Sequence, residues 1–312
     1  MTVSEYWSAL GRRFGVWQHS RAVRSILDTP PIQPRDDGVI LFSMIGTAVL
    51  LPYLVAVKSL HAHLQRGKVM LLDDGTLTVA DKAHLAHHCG NPQILTFADI
   101  ATAPCPTGNC WERLLAILDL RRDHYVIQLD SDTVTLGPVP EIAAAIDANR
   151  SFTLGGGVED VQHGFMTIPQ MIDTIYPDGP IYPHIQSVIE ASLRAFPGAA
   201  GLKYIRGCAG FAGFARSADG RAMAQRFAVD AGRAVGSRFI EWGSEQAASN
   251  FVVANDPDPI QLPYNRYTNH WEEDLPPDPA FIHYIGTYRY DRGSYVASTR
   301  RAIAQLQAAR AE

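Results

Sequence analysis

At 312 residues, 46% of them hydrophobic, the chain can form one large α/β domain or two smaller ones around a substantial core. Its formal net charge of −5 excludes a bulk nucleic-acid binder. Four irregularly spaced cysteines (89, 105, 110 and 208) in a chain this long argue against a disulfide framework. Reduced thiols in a cytoplasm are the expectation, with Cys105 and Cys110 as the pair that an oxidising compartment could bridge. The first thirty residues hold no apolar core of signal-peptide length. Only four lysines occur, so arginine carries nearly all the basic charge.

In chain order, the first pattern is a stripe of Trp7, Leu10, Phe14 and Trp17, spaced three and four apart as on one helix face. Arg12, Arg13, Arg21 and Arg24 lie around it. Two readings are open: residues 5–25 lie on an anionic membrane surface, or the stripe packs on the domain or on a partner subunit. The second is the blander one and is favoured. Residues 28–37, with three prolines, read as a linker. Residues 38–57 carry no charge and are long enough for a membrane span. Ser43, Gly46, Thr47 and Pro52 interrupt them, so a buried strand, a short loop and a buried helix are expected instead.

The spacing then predicts strand 39–45, a helix to about 63, strand 68–73, helix 78–88 with Thr78 as N-cap, strand 93–97, helix 111–120 and strand 125–129. Strands alternating with helices imply a mostly parallel sheet with right-handed crossovers. Beyond Ile146 the pattern loosens. Residues 155–205 read as loops plus one helix near 184–195, and Gly155-Gly156-Gly157 as flexible loop. A glycine-spaced strand at 207–215, a helix at 219–231, a short mixed region, a strand at 281–285 and a helix at 294–309 complete the chain. His84, His87, His88 and Cys89 share a helix face. No second ligand cluster accompanies them, so surface histidines are expected rather than a zinc site.

The chemistry concentrates at 125–136, Tyr-Val-Ile-Gln-Leu-Asp-Ser-Asp-Thr-Val-Thr-Leu. Asp130 and Asp132 follow an apolar strand, and the period of two puts both carboxylates on one side. They stand at the strand's C-terminal end, where open α/β sheets bind ligands. Two carboxylates so close repel unless a cation lies between them. Oxygen ligands of this kind suit Mg²⁺ or Mn²⁺, ions that usually also hold substrate phosphates.

Four segments in order resemble a GT-A-fold glycosyltransferase of the glycogenin and bacterial lipooligosaccharide galactosyltransferase group. They are Gly46-Thr47 through Lys58-Ser59-Leu60; Asp130-Ser131-Asp132, similar to the DxD motif; Glu245-Gln246-Ala247-Ala248-Ser249-Asn250, similar to Asp-Gln-Asp-x-x-Asn; and His283-Tyr284-Ile285-Gly286-Thr287-Tyr288-Arg289, similar to His-x-x-Gly-x-x-Lys. The resemblance implies a metal-dependent, retaining transfer of a sugar from a nucleoside-diphosphate sugar, a UDP-sugar above all, to a glycan, lipid-linked or protein acceptor. It implies Asp130, Asp132 and His283 as ligands of Mn²⁺ or Mg²⁺, with Glu245 and Gln246 as catalytic candidates. Ile45, Gly46, Thr47, Arg113, Ser131, Gly210, Gly286 and Arg289 would contact the nucleotide sugar. The expected division is 1–37 as helix and linker, then one domain with a nucleotide-binding half (38–146) and an acceptor-side half (147–312). Four positions depart from the pattern: Arg289 replaces the lysine and keeps its charge, Ala247 replaces a carboxylate, Cys208 stands where Asn-x-Gly has asparagine, and Glu245 replaces aspartate. The last three leave open an inverting outcome with Glu245 as base. Asp130-x-Asp132-x-Val134 also resembles the start of a haloacid-dehalogenase-type phosphatase, but three strands precede it and Lys203 is the only later lysine. A domain that only binds sugar nucleotide is a third reading.

Overall fold

The computed structural model describes residues 3–271, 273–286 and 288–308, and the side chains among them from residue 11 onward. Trp7 and Leu10 of the N-terminal stripe, and Thr287, therefore lie outside the described side chains. Helix α1 (Val3–Ala22) is followed by β1 (Val39–Ile45), α2 (Leu50–Leu64), β2 (Lys68–Asp73), α3 (Val79–Cys89), β3 (Gln93–Thr96), α4 (Trp111–Leu120) and β4 (Tyr125–Leu129). These are the elements the periodicity predicts. All residues of β1 but Met44 are buried, as a central strand covered on both faces requires. Thr78 caps α3 in a reciprocal box with Asp81, and Gly90 ends it in the left-handed conformation.

The uncharged segment 38–57 divides into β1 and α2, joined by a short helical turn. Residues 47–64 are long and apolar enough to cross a membrane by composition alone, yet α2 is a core helix packed against the sheet and the C-terminal helix.

The second half holds more regular structure than its sequence suggests. It contains β5 (Thr133–Thr135), α5 (Pro140–Asp147), β6 (Phe152–Gly155), α6 (Val158–His163), β7 (Met166–Thr167), α7 (Ile168–Ile175), α8 (Ile185–Ser192) and β8 (Lys203–Tyr204). Then come β9 (Gly207–Phe214), α9 (Ala222–Val235), α10 (Ser244–Asn255), β10 (Ile260–Gln261), β11 (Tyr267–His270), β12 (Phe281–Tyr284) and α11 (Ser294–Ala308). Of the loops and one helix expected at 155–205, the helix is α8, and the loops are corrected: α6 and α7 also form there, α7 from a capping box between Thr167 and Gln170. Gly155 closes a strand rather than opening a flexible loop. The mixed region before the last strand holds α10 and two further strands.

The main sheet runs β10-β6-β9-β4-β1-β2-β3. Only β9 is antiparallel to its neighbours. One apolar layer lies between the sheet and α2, α5 and α11; the other lies under α4, α8, α9 and α10. A small sheet, β11-β12-β5, matters most for the site. Strand β5 begins directly after Asp132 and pairs with β12, placing His283 opposite Thr133.

Two further readings are refined. His84 and His87 are exposed, but His88 is buried, its Nδ1 3.0 Å from Lys58 Nζ, and so it is not a surface histidine. Lys58 is buried in α2, and its Nζ also donates to Thr29 O at 3.3 Å. Among the described side chains, helix α1 packs on the domain through Gly15 and His19 rather than through Phe14 and Trp17. Gly15 abuts Tyr290, and His19 stacks on Tyr295 at 3.9 Å with Nε2 3.1 Å from Thr299 Oγ1. Phe14 and Trp17, stacked on each other, stay 57% and 55% exposed.

Candidate active site

Strand β4 delivers Asp130-Ser131-Asp132 at its C-terminal end. The turn is fixed by Asp130 N donating to Gly210 O (2.9 Å), by Thr133 Oγ1 donating to Asp130 O (3.0 Å) and by Tyr284 N donating to Asp132 O (2.8 Å). The last of these joins β12 to the turn. One ligand atom each from Asp130, Asp132 and His283 lie within 4.8 Å of one another. His283 Nε2 is 3.4 Å from Asp132 Oδ1 and 4.0 Å from Asp130 Oδ2.

The donor set suits a hard divalent cation, two carboxylates with one imidazole. The orientation of His283 also fits. Asn269 spends its amide nitrogen on Gly155 O (2.7 Å) and Gly156 O (2.8 Å), leaving Oδ1 to accept from His283 Nδ1 at 2.9 Å. A proton held at Nδ1 leaves Nε2 for the carboxylate side, the arrangement that orients a metal-binding histidine. Burial opposes charge on His283, but Cys208 and Asp132 outweigh it and hold its pKa well above the ordinary imidazole value. Burial likewise disfavours charge on Asp132, and His283 and Arg289 overcome it, so its pKa falls below the usual carboxylate range.

Two arginines cross this acidic group. Arg113, from α4, pairs with Asp130 and reaches Glu245 Oε1 at 3.3 Å. Arg289 pairs with Asp132 and donates from Nε to Tyr284 O at 3.2 Å. Glu245, near the start of α10, is buried; burial above all, aided by Asp130 and opposed by Arg113, pushes its carboxyl up to about 7. Gln246 beside it is half-buried and donates to Gln186 Oε1 at 2.8 Å.

These groups line a cavity of about 510 Å³ together with Gly210 and Gly286. A Cβ on Gly210 would come within 2.4 Å of the His283 ring, so glycine is what lets β9 pass behind the imidazole. At Gly286 the nearest atom to such a Cβ is Arg289 Nη2, 4.0 Å away, so the backbone there faces open cavity. Nine of the thirteen sequence candidates thus meet on one cavity: Asp130, Asp132, His283, Arg113, Arg289, Glu245, Gln246, Gly210 and Gly286. The structure does not bring the other four to its wall. Ile45 ends β1 in the core, and Gly46 packs under Asp74 and Thr76. Thr47 Oγ1 is bonded to Thr76 O (2.5 Å) and Asp81 Oδ2 (2.6 Å), and Ser131 sits half-buried in the turn.

Sequence reasoning missed several groups that line or support the same cavity. Asn269 holds His283 without lining the cavity itself. Arg206 donates to Glu190 (3.1 Å), to Asp160 and to the Tyr182 hydroxyl (2.8 Å). Trp242 and Trp271 stand at the wall, 69% and 36% exposed. Of the departing residues, Cys208 Sγ lies 3.4 Å from His283 Nδ1, while Ala247 is buried in the apolar layer under α10.

No family model and no curated protein matches the chain. Among solved structures it is similar to the glycosyltransferase GlyE of Streptococcus pneumoniae TIGR4, at 12% identity and a TM-score of 0.53, over 88% of this chain and 63% of that one. It is also similar to the bifunctional glycosyltransferase WbbM, at 16% identity and a TM-score of 0.52, over 89% of this chain and 53% of WbbM. The chain thus spans about half the length of WbbM. At such identities the likeness establishes the fold: the architecture is GT-A, a mainly parallel seven-stranded sheet flanked by helices, as the four sequence segments imply.

Proposed function

We propose that this protein is a metal-dependent glycosyltransferase that moves a sugar from a nucleoside-diphosphate donor, UDP-sugar above all, to a glycan, lipid-linked or protein acceptor. The observation that carries the reading is the convergence of Asp130, Asp132 and His283 in one polar cavity of a GT-A frame. Asp130, Asp132 and His283 would hold a Mn²⁺ or Mg²⁺ ion, which would supply positive charge against the nucleoside-diphosphate leaving group. Arg289 and Arg113 are charged, already aimed into the cavity, and able to exchange a carboxylate partner for a phosphate one bidentately. Gly286 leaves its backbone open to the diphosphate. The resemblance gives Ile45, Gly46, Thr47 and Ser131 to the nucleoside side, although none of the four lines this cavity.

Glu245 and Gln246 face the transferred sugar in this reading. In the transfer, the bond from the anomeric carbon to phosphate oxygen breaks and one to the acceptor oxygen forms. The acceptor's proton passes to the departing phosphate or to Glu245, whose pKa near 7 suits either gain or loss of a proton. Retention of configuration is what the resemblance implies. In a cytoplasmic enzyme, α1 would meet the inner face of a membrane. Its exposed Phe14 and Trp17, with Arg21 5.9 Å over the Trp17 ring, support that contact. Each arginine would add about 1 kcal/mol at an anionic surface. Sedimentation with anionic liposomes at low salt, against a chain starting at residue 31, tests it; equal sedimentation of the two would remove it.

The function itself is tested by incubating the protein with a panel of nucleoside-diphosphate sugars, with Mn²⁺ or with EDTA, and following release of nucleoside diphosphate. Metal-dependent release from one donor is expected. Binding without release points to a sugar-nucleotide-binding domain; phosphate release from simple phosphomonoesters points to a phosphatase.

A further inference from the structure

The cavity has an end that the donor chemistry leaves unused. Trp242 reaches it from the turn before α10 and Trp271 from the end of β11, and both indoles line the cavity while exposed to solvent. They are not loose. Trp242 meets the His184 ring edge-to-face at 5.6 Å. Trp271 donates from Nε1 to Gly156 O at 3.0 Å and meets Tyr288 edge-to-face at 6.0 Å. Holding large aromatic faces fixed against water is unfavourable unless something covers them. The same lining carries polar groups, Tyr182 and Gln186. Flat apolar faces beside hydrogen-bonding groups match a pyranose ring, which has C–H groups on its face and hydroxyls on its rim.

The charge of this end narrows the choice. Arg206 is its cation, and it is tied up by two carboxylates, Glu190 and Asp160. The Glu190 carboxylate is fully buried and also accepts from Tyr204 (3.0 Å) and Gln186 (2.8 Å). With two acidic groups to one basic one, the local field repels an incoming anion.

Resting on the glycosyltransferase reading above, we propose that this end of the cavity is the acceptor subsite, and that the acceptor is an uncharged saccharide seated on Trp242 and Trp271. It is neither a bare lipid nor a peptide, and neither a uronic acid nor a sugar phosphate.

The test uses the full-length protein with Mn²⁺ and UDP on a glycan array that carries neutral, uronic-acid-ended and phosphorylated oligosaccharides. Binding confined to neutral termini is expected. Trp242→Ala and Trp271→Ala should each weaken it at least tenfold, and Trp242→Phe, which keeps a flat ring, should retain most of it. Thermal stabilisation by UDP with Mn²⁺ should be unchanged in all three. Preference for acidic termini, full binding by the two alanine variants, or no glycan bound by a protein that UDP and Mn²⁺ do stabilise would each overturn the proposal. Failure of every nucleoside diphosphate to stabilise the wild-type protein would instead sink the glycosyltransferase reading on which it rests.

Discussion

The two ends of the cavity are built on opposite plans. At one end, Asp132, Glu245, Arg113 and His283 are withdrawn from water and, with the half-buried Asp130, cross-linked by charge. At the other, Trp242, Trp271 and Tyr182 are set out in solvent, Trp271 and Tyr182 on hydrogen bonds and Trp242 against the His184 ring. Burying charge makes electrostatic contacts strong and unforgiving; exposing aromatic faces makes them weaker and more tolerant. A site that must hold a diphosphate in one geometry and accept a partner molecule from solution would need both.

The largest effect is expected from cutting the buried end's central link. Arg113→Met leaves Glu245 and Asp130 without their guanidinium, and should cost about 3–5 kcal/mol of stability in urea denaturation. Adding Glu245→Gln should restore part of it. An unchanged denaturation curve for the single variant would mean that the acidic end is not held together by charge.

Next comes Arg289→Ala. If Arg289 moves from Asp132 to the diphosphate, nucleoside diphosphate binding should weaken by about 1.5–3 kcal/mol by calorimetry, as for hydrogen bonds to charged groups, while free nucleoside binds as before. Equal loss for both would place the arginine away from the phosphates.

Asn269→Ala removes the group that holds Nδ1 of His283. The Mn²⁺ concentration needed for nucleotide binding should rise about 10–100-fold, with metal-free binding unaltered. No change in that titration would show that the imidazole is oriented by other contacts, Cys208 among them.

The smallest effect is one of pH. The Glu245 carboxyl lies at about 7 in the folded protein against an ordinary 4.5, so the folded state binds its proton more tightly than the unfolded one. Its contribution to stability is complete below about pH 4.5 and is lost as pH rises through about 7. The melting temperature of wild type minus that of Glu245→Gln should therefore fall between pH 5 and 8. A flat difference would contradict the buried, proton-retaining state.

How much of this was legible in the sequence follows from the same physics. Strands β1, β2 and β4 and helix α4 have the bounds that their apolar runs predict, because a parallel sheet buried on both faces writes itself as uninterrupted hydrophobic sequence. Strand β11, Tyr-Thr-Asn-His, is wholly buried yet polar, and no hydrophobic period marks it. Its burial rests on pairing with β12 and on the bonds of Asn269. Helix α10 is masked in a related way: Ser244 accepts from Trp111 Nε1 at 2.9 Å and Asn250 donates to Gly207 O at 3.0 Å, so buried polar residues interrupt the apolar period that Ala247, Ala248 and Phe251 would otherwise write.

The acidic end of the site was readable because Asp130, Asp132 and His283 fall in short motifs at strands and Glu245 in a short motif at a helix start. Asn269 and Arg206 were not, because what they do depends on partners far off in the sequence: His283 for one, Glu190 and Asp160 for the other. An exposed tryptophan reads in sequence like a buried one, so only burial separates Trp242 from Trp111.

The central claim is that Asp130, Asp132 and His283 make nucleoside diphosphate binding depend on a divalent cation. Calorimetric titration of nucleoside diphosphates, UDP first, into wild type and Asp132→Ala, each with Mn²⁺ and with EDTA, tests it directly. Binding by wild type that EDTA weakens at least tenfold, and weak binding by Asp132→Ala that is indifferent to metal, is the predicted result. Binding by Asp132→Ala as tight as that of wild type, with the same response to Mn²⁺, would contradict the account.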